Sequence, residues 1–400
     1  MLGRDPGEKH RASTPLELLF DLTFVVAFGQ AGDQASHFFA EGHFLVALGG
    51  FAFAIAAVCW AWVNFSWFAS AYDTDDWFFR ILTMVQMIGV LVLALGLPSM
   101  FDSIDRGGPI ENGVMIAGYV IMRVALVIGW LRAAREDPAR KSIALTYALL
   151  IGVAQVGWVL ALGLRDSPLY VPVLAVLFLV EGAAPVLAEK KGGTPWHPHH
   201  IAERYGLLVI ITLGEGIIGT IATVSAIVQE QGWSAEAVIN VVAGTGLTFG
   251  LWWVYFILPS GEVLSRHRER ASTWGYLHII VFASIAATGA GLHVAAFVIE
   301  GTADVDERIA VLAVAVPVAL FTVAVFGINS YLLRGVDSLQ AFMLSGVAVV
   351  LGAAVLLADG TVPIGACLLL VLAAPLVVVV VFEVFGHRHE ASALAKTTAA

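Results

Sequence analysis

Apolar residues run along this chain in long blocks. Twelve of them, near 16–39, 44–71, 77–100, 112–133, 142–163, 168–188, 200–229, 236–258, 273–299, 308–333, 339–357 and 361–385, carry few charges. Each is long enough to cross a hydrocarbon layer about 30 Å thick, which takes roughly 17–25 residues of helix. The pattern predicts an all-α integral membrane protein of about twelve transmembrane helices. The first block carries Glu17 and Asp21, which the apolar core of a signal peptide does not tolerate, so no cleavage is expected.

Composition agrees with the pattern. Of 400 residues, 59% are apolar and 13% charged, where ordinary soluble domains carry roughly 25% charged residues. Cys59 and Cys367 fall inside predicted spans, where a small thiol simply packs, and no disulfide framework or zinc pattern appears. The net charge of −10 disfavours nucleic acid as a partner, and no cofactor is expected.

The placement of Lys and Arg says more than their sum, because cytoplasmic loops retain positive charge. Arg4, Lys9, Arg11, Arg80, Arg132, Arg135, Arg140, Lys141, Lys190, Lys191, Arg266, Arg268, Arg270, Arg334, Arg388 and Lys396 fall on one side of a twelve-span arrangement. Only Arg106, Arg165 and Arg308 fall on the other. Both termini are therefore expected in the cytoplasm of a multi-pass cell-membrane protein. The expected order is a cytoplasmic segment over 1–15, a first six-helix half over 16–188 and a cytoplasmic linker over 189–199. A second half over 200–386 and a disordered cytoplasmic tail over 387–400 follow.

The stretch Gly214-Glu215-Gly216-Ile217-Ile218-Gly219 spells the G-x-G-x-x-G fingerprint of dinucleotide sites. That fingerprint works only between a strand and a helix. Here it sits deep in an apolar span, where backbone groups must bond internally. The glycines are expected to admit a neighbouring helix, a role that Gly246-xxx-Gly250 in the next span also suggests.

An internal echo accompanies it. Shifting "FDLTFVVAFGQ" (Phe20–Gln30) by 185 residues places it on "YGLLVIITLGE" (Tyr205–Glu215), and Trp62-xx-Phe65 has a counterpart in Trp252-xx-Tyr255. Two six-span halves related as parallel repeats are expected.

The segments "ELLFDLTFV" (Glu17–Val25), "DTDDWFFR" (Asp73–Arg80), "HIAERYGLLVIITLGE" (His200–Glu215) and "WWVYF" (Trp252–Phe256) together resemble the bacterial low-temperature-requirement A family. The resemblance covers nearly the whole chain. It implies an integral membrane protein named for a cold-growth requirement and supplies no mechanism. One departure is Gly216, where family members often carry Ser.

Ionisable side chains in a bilayer face a protein interior or a water-filled cavity and mark sites by default. Glu17 and Asp21, four residues apart, share one helix face, and Glu203 and Arg204 occupy the matching depth in span 7. Arg204 is the expected cation for the two carboxylates. Gln30 and Glu215 lie roughly 14–18 Å deeper, near the midplane, where a carboxyl is either neutral or paired. Arg123, His278 and His293 are its possible partners, and Glu181 beside Pro185 is a similar buried acid. His199 and His200 ahead of Glu203 are candidate metal ligands, weighed against helix capping and interfacial anchoring by that segment. Asp75 or Asp76 is expected to cap span 3, with Asp76 paired to Arg80.

Three functions compete. The leading one is a proton-coupled secondary transporter of a small solute, with Glu215, Gln30, Glu203, Arg204, Glu17 and Asp21 along its pathway. Its halves would rock about Gln30 and Glu215. The alternatives are an intramembrane enzyme acting on a lipid or isoprenoid through Glu203, Glu17, Asp21 and His200, or a non-catalytic lipid-binding scaffold. Membrane lipids, a small solute or lipid, and protons are the expected partners.

Overall fold

A computed structural model describes residues 1–5, 8, 11–335 and 338–386; Lys9, Arg388, Lys396 and the expected tail over 387–400 lie outside the described residues. The helices are α1 (Pro15–Ala40), α2 (Phe44–Tyr72), α3 (Trp77–Leu95), α4 (Leu97–Asp105), α5 (Gly113–Glu136), α6 (Lys141–Ala161) and α7 (Tyr170–Glu189). They continue as α8 (Pro198–Gln231), α9 (Ala235–Phe256), α10 (Ser260–Arg266), α11 (Ala271–Ile299), α12 (Glu307–Leu333), α13 (Ser338–Leu357) and α14 (Ile364–Val381). Among the described residues there is no strand, and twelve helical segments are long and apolar enough to cross a membrane. The protein is an all-helical, multi-pass membrane protein.

Local chemistry sets the helix starts. The Asp76 carboxylate accepts from the N–H groups of Phe78 and Phe79, both at 3.0 Å, and so caps α3. Ser234 and Asp306 cap α9 and α12 in the same way. Around Asp76 the expected pairing with Arg80 is corrected. Asp75 adopts a positive φ of 47°, its N–H donating to Asp73 Oδ1 at 2.8 Å. That turn presents Asp75 to Arg80 at 2.9 Å and leaves Asp76 for Arg132, which grips it with both Nη atoms at 2.9 and 2.7 Å. The third span also breaks at Gly96, with Pro98 in the first turn of α4. A side chain at Gly96 would run into the backbone of Met115 at the start of α5.

The chain divides into two compact units. Among the described residues, the first holds those within 1–31 and 53–204 and the second those within 32–52 and 205–386. Helices α1, α2 and α8 therefore contribute to both. In the first unit α5 packs on α3 and α6, and α6 on α7. The α3–α5 contact is backbone to backbone: a Cβ at Gly89 would lie 2.7 Å from the carbonyl oxygen of Gly118. Small residues allow such approaches, and packing rather than hydrophobic exclusion drives association in lipid. Trp130 stacks on Tyr147 at 4.1 Å between centroids and meets Phe68 edge-on.

In the second unit α11 packs on α12, and α14 on α9 and α13. Gly216 and Gly219 of the fingerprint-like stretch act as helix-packing residues, whereas Gly214 faces open space. A Cβ at Gly219 would lie 2.6 Å from the carbonyl oxygen of Gly289 on α11, and one at Gly289 would lie 2.7 Å from the backbone of Glu215. A Cβ at Gly246 or Gly250 would lie 2.8 Å from the side chain of Leu372 or Pro375 of α14. Arg270 closes the end of α12 by donating to the carbonyls of Tyr331 and Leu332 at 3.0 and 2.6 Å.

Candidate functional site

Helix α1 begins with the sequence Thr14-Pro-Leu-Glu17, and the two ends bond reciprocally. The Glu17 N–H donates to Thr14 Oγ1 at 3.2 Å, and the Thr14 N–H donates to Glu17 Oε2 at 2.9 Å. This is a capping box with Pro15 in the first helical position. The motif is legible in the sequence, where Glu17 reads only as a buried charge unless its spacing from Thr14 is noticed. The box turns Glu17 inward, one helical turn from Asp21.

Arg204 answers both carboxylates. Its Nη1 lies 2.8 Å from Glu17 Oε1 and its Nη2 2.5 Å from Asp21 Oδ1. Trp62 Nε1 of α2 donates to Asp21 Oδ1 at 2.7 Å, and Ser66 Oγ lies 3.3 Å from Arg204 Nη2. His200, one turn before Arg204 on α8, places Nε2 at 3.1 Å from Glu17 Oε2. The side chains of Glu17, Asp21, His200 and Arg204 are all 0% exposed. The guanidinium also lies 5.7 Å from the Trp62 ring and 5.9 Å from that of Phe65, adding a cation–π component. Two acids meet one guanidinium and one imidazole, so the cluster is electrically neutral when it holds one proton beyond that on Arg204.

Outside the spanning segments, the same end of the unit carries a tightly wired polar layer. His197 caps α8: its Nδ1 accepts from the His200 N–H at 3.3 Å, so Nε2 carries the hydrogen that is donated to the Glu8 carbonyl at 2.7 Å. Burial holds this imidazole below its ordinary titration range, consistent with the neutral tautomer. Arg11 donates to the Ser70 and Ala69 carbonyls at the end of α2; burial and the neighbouring Arg4 bring its value down to about 10. Asp73 is pushed up to about 6 by burial and then by the Glu17 charge.

The remaining expected residues lie apart from this cluster. Glu203 is exposed, and its Oε1 accepts from the Ser13 N–H at 3.1 Å. His199 is exposed and Gln30 half-buried. The candidate metal ligand His200 is committed to Glu17, and among the described residues no group of three or more His, Cys, Asp or Glu is placed to hold a metal ion.

A second buried ion pair in the first unit was not foreseen. Arg123 Nη2 lies 2.8 Å from Glu181 Oε2 and 2.6 Å from the Tyr119 hydroxyl, which itself bonds Glu181. Gln155 Nε2 and Trp158 Nε1 donate to Glu181 Oε1 at 2.8 and 2.9 Å. Arg123 is thus removed from the possible partners of Glu215. Depth along the helices is the signal that reveals this pair: Arg123 is ten residues from Gly113 and Glu181 eleven from Tyr170. At 1.5 Å per residue both lie about 15–17 Å in from the same end.

In the second unit Glu215 is 5% exposed, and its Oε1 has no hydrogen-bond partner. His278 is engaged, Nδ1 with the Trp274 carbonyl at 2.8 Å and Nε2 with the Tyr255 hydroxyl at 3.1 Å. Of the possible partners, His293 remains. A Cβ at Gly219, one turn beyond Glu215, would lie 3.3 Å from the His293 ring, and His293 Nε2 is buried without a hydrogen-bond partner. Next to Glu215, a Cβ at Gly214 would meet nothing within 4 Å.

Comparison with known proteins fits this architecture. The chain is 27% identical over 298 residues to an uncharacterized protein of Rhizobium meliloti (strain 1021), covering 70% of this chain and 68% of the relative. No solved structure matches. The family model of the bacterial low temperature requirement A protein matches residues 12–375, and the chain belongs to that family.

Proposed function

We propose that the protein is a proton-coupled secondary carrier of a small solute, with Glu215 as the group that takes up and releases the proton. The observation that carries this reading is a carboxyl in the middle of a spanning helix, 5% exposed, with an oxygen that has no hydrogen-bond partner. A buried carboxyl used only for structure is expected to have a cation or a full set of donors, as Glu181 does. His293, a base whose buried Nε2 has no hydrogen-bond partner, lies against Gly219, one turn beyond Glu215. The sequence echo between Phe20–Gln30 and Tyr205–Glu215 supports a parallel duplication, the arrangement of many carriers. The Lys and Arg distribution supports cytoplasmic termini in the cell membrane.

The test is proton movement in proteoliposomes loaded with a pH-sensitive dye and challenged with a panel of small metabolites. Wild type is expected to acidify or alkalinise the lumen with at least one solute. Glu215→Gln is expected to abolish that signal while folding normally. Infrared difference spectra read the same group without a solute, since the protonated-carboxyl band of wild type should be missing in the variant. Undiminished solute-driven proton movement in Glu215→Gln, or an unchanged carboxyl band, overturns the assignment.

A further inference from the structure

Between α5 and α6 the first unit carries a groove of about 410 Å³, within the size range of small-ligand sites. Val120, Val124, Val127 and Ile128 form one wall. Gly152, Gln155, Val156, Val159 and Leu160 form the other. The wall from Val120 to Ile128 runs about 12 Å along α5. Both helices cross the membrane, and the rim is open: Val156 is 60% and Leu160 70% exposed. In a bilayer such an open groove on spanning helices faces hydrocarbon.

One lining residue is out of keeping with an ordinary lipid-facing surface. Gln155 is only 5% exposed. Its Nε2 donates to Glu181 Oε1 at 2.8 Å and to the Ile151 carbonyl at 3.3 Å. Both neighbours are acceptors, which fixes the amide orientation and uses both N–H groups. The carbonyl Oε1 is left buried with no hydrogen-bond partner. A buried acceptor without a donor beside an apolar groove is costly, and apolar chains cannot satisfy it. A hydroxyl can.

We propose that this groove binds a membrane lipid alcohol, with a single hydrocarbon chain along the valine-lined walls and its hydroxyl donating to Gln155 Oε1. The chemistry is shared by acylglycerols and polyprenols. The site is separate from Glu215, so its failure and that of the carrier reading are distinguishable. Gly152 offers a clean way to close it, because a side chain there would meet nothing within 4 Å of its Cβ and would extend into the groove.

The test uses the full chain in nanodiscs with a diazirine-bearing hexadecanol and its methyl ether, which keeps the chain but cannot donate. Cross-linked peptides are mapped by mass spectrometry. The alcohol should label the 120–128 and 152–160 segments about fivefold more than the ether, the ratio expected for one neutral hydrogen bond. Gly152→Leu should abolish this labelling, and Gln155→Leu should bring alcohol and ether to parity. Monoolein and geranylgeraniol are then added as competitors, and the one that displaces the probe identifies an acyl or an isoprenoid source. Equal labelling by alcohol and ether in wild type, labelling that survives Gly152→Leu, or failure of both competitors overturns the proposal. Should Gln155→Leu fold poorly through loss of its bond to Glu181, the alcohol-to-ether ratio in wild type and the Gly152 variant decide the matter.

Discussion

Arg204→Ala removes the cation that answers two buried carboxylates. In the native cluster Glu17 keeps two other donors, the Thr14 N–H at 2.9 Å and His200 at 3.1 Å, whereas Asp21 keeps only Trp62 at 2.7 Å. Breaking a buried ion pair by deleting one partner typically costs about 3–5 kcal/mol, because the survivor is left as an uncompensated charge. Here two survivors also repel, so the loss should reach the upper part of that range. Asp21→Asn added to Arg204→Ala removes the less supported charge and keeps an acceptor for Trp62. The double variant should recover at least about 1.5 kcal/mol relative to the additive expectation, a coupling typical of residues in direct contact. Both native cysteines are buried and free, so a thiol-reactive dye reports unfolding in detergent without a further label, and titration with a denaturing detergent supplies the free energies. Arg204→Lys is an internal control: an ammonium is a single point charge and cannot reproduce the forked contact to Glu17 and Asp21, so it should fall between wild type and alanine. Additive single and double variants, within about 0.5 kcal/mol, would refute a working triad.

Two further outcomes are expected. Because the Asp73 value is raised from 3.8 to about 6, the native state holds its proton more tightly than the unfolded chain. Its charge therefore costs stability as pH rises from about 4 through about 6, by about 3 kcal/mol once fully ionised. Asp73→Asn should raise the thiol-dye melting temperature at neutral pH and flatten the pH dependence in that window; an unchanged profile contradicts the assignment. For orientation, a cysteine at Ser142 in a chain lacking Cys59 and Cys367 should resist an impermeant maleimide added outside intact cells, and labelling there would invert the topology.

The spans were legible because hydrocarbon thickness leaves little freedom: a helix must be about 20 apolar residues long, and the observed ends lie within a few residues of the expected ones for most spans. The break at Gly96 was not legible, since it answers to the approach of Met115 from a different helix. Pairing was legible where register and chemistry both constrained it, as for Arg204 with Glu17 and Asp21. It was not legible for Arg123, which pairs with Glu181 and not with Glu215. Sequence gives the depth of a side chain in a span but not the rotation of its helix, and rotation decides which of several acids at one depth is met. Around Asp76 the error was a single turn: a positive φ at Asp75 redirects Arg80 by one residue, and nothing in the apolar pattern encodes it.

Counting charges at each buried acid separates the roles of the three centres. Glu181 meets one guanidinium and receives donors from Tyr119, Gln155 and Trp158; it is matched one for one, and a change of protonation would only unbalance it. Glu17 and Asp21 share one guanidinium, with His200 as the adjustable member. That cluster holds one proton to be neutral, and its side chains are 0% exposed and tied to a capping box, so losing or gaining that proton leaves a net charge buried. Glu215 has neither cation nor cap. Its Oε1 has no hydrogen-bond partner, and a change of charge there need not dismantle a helix start.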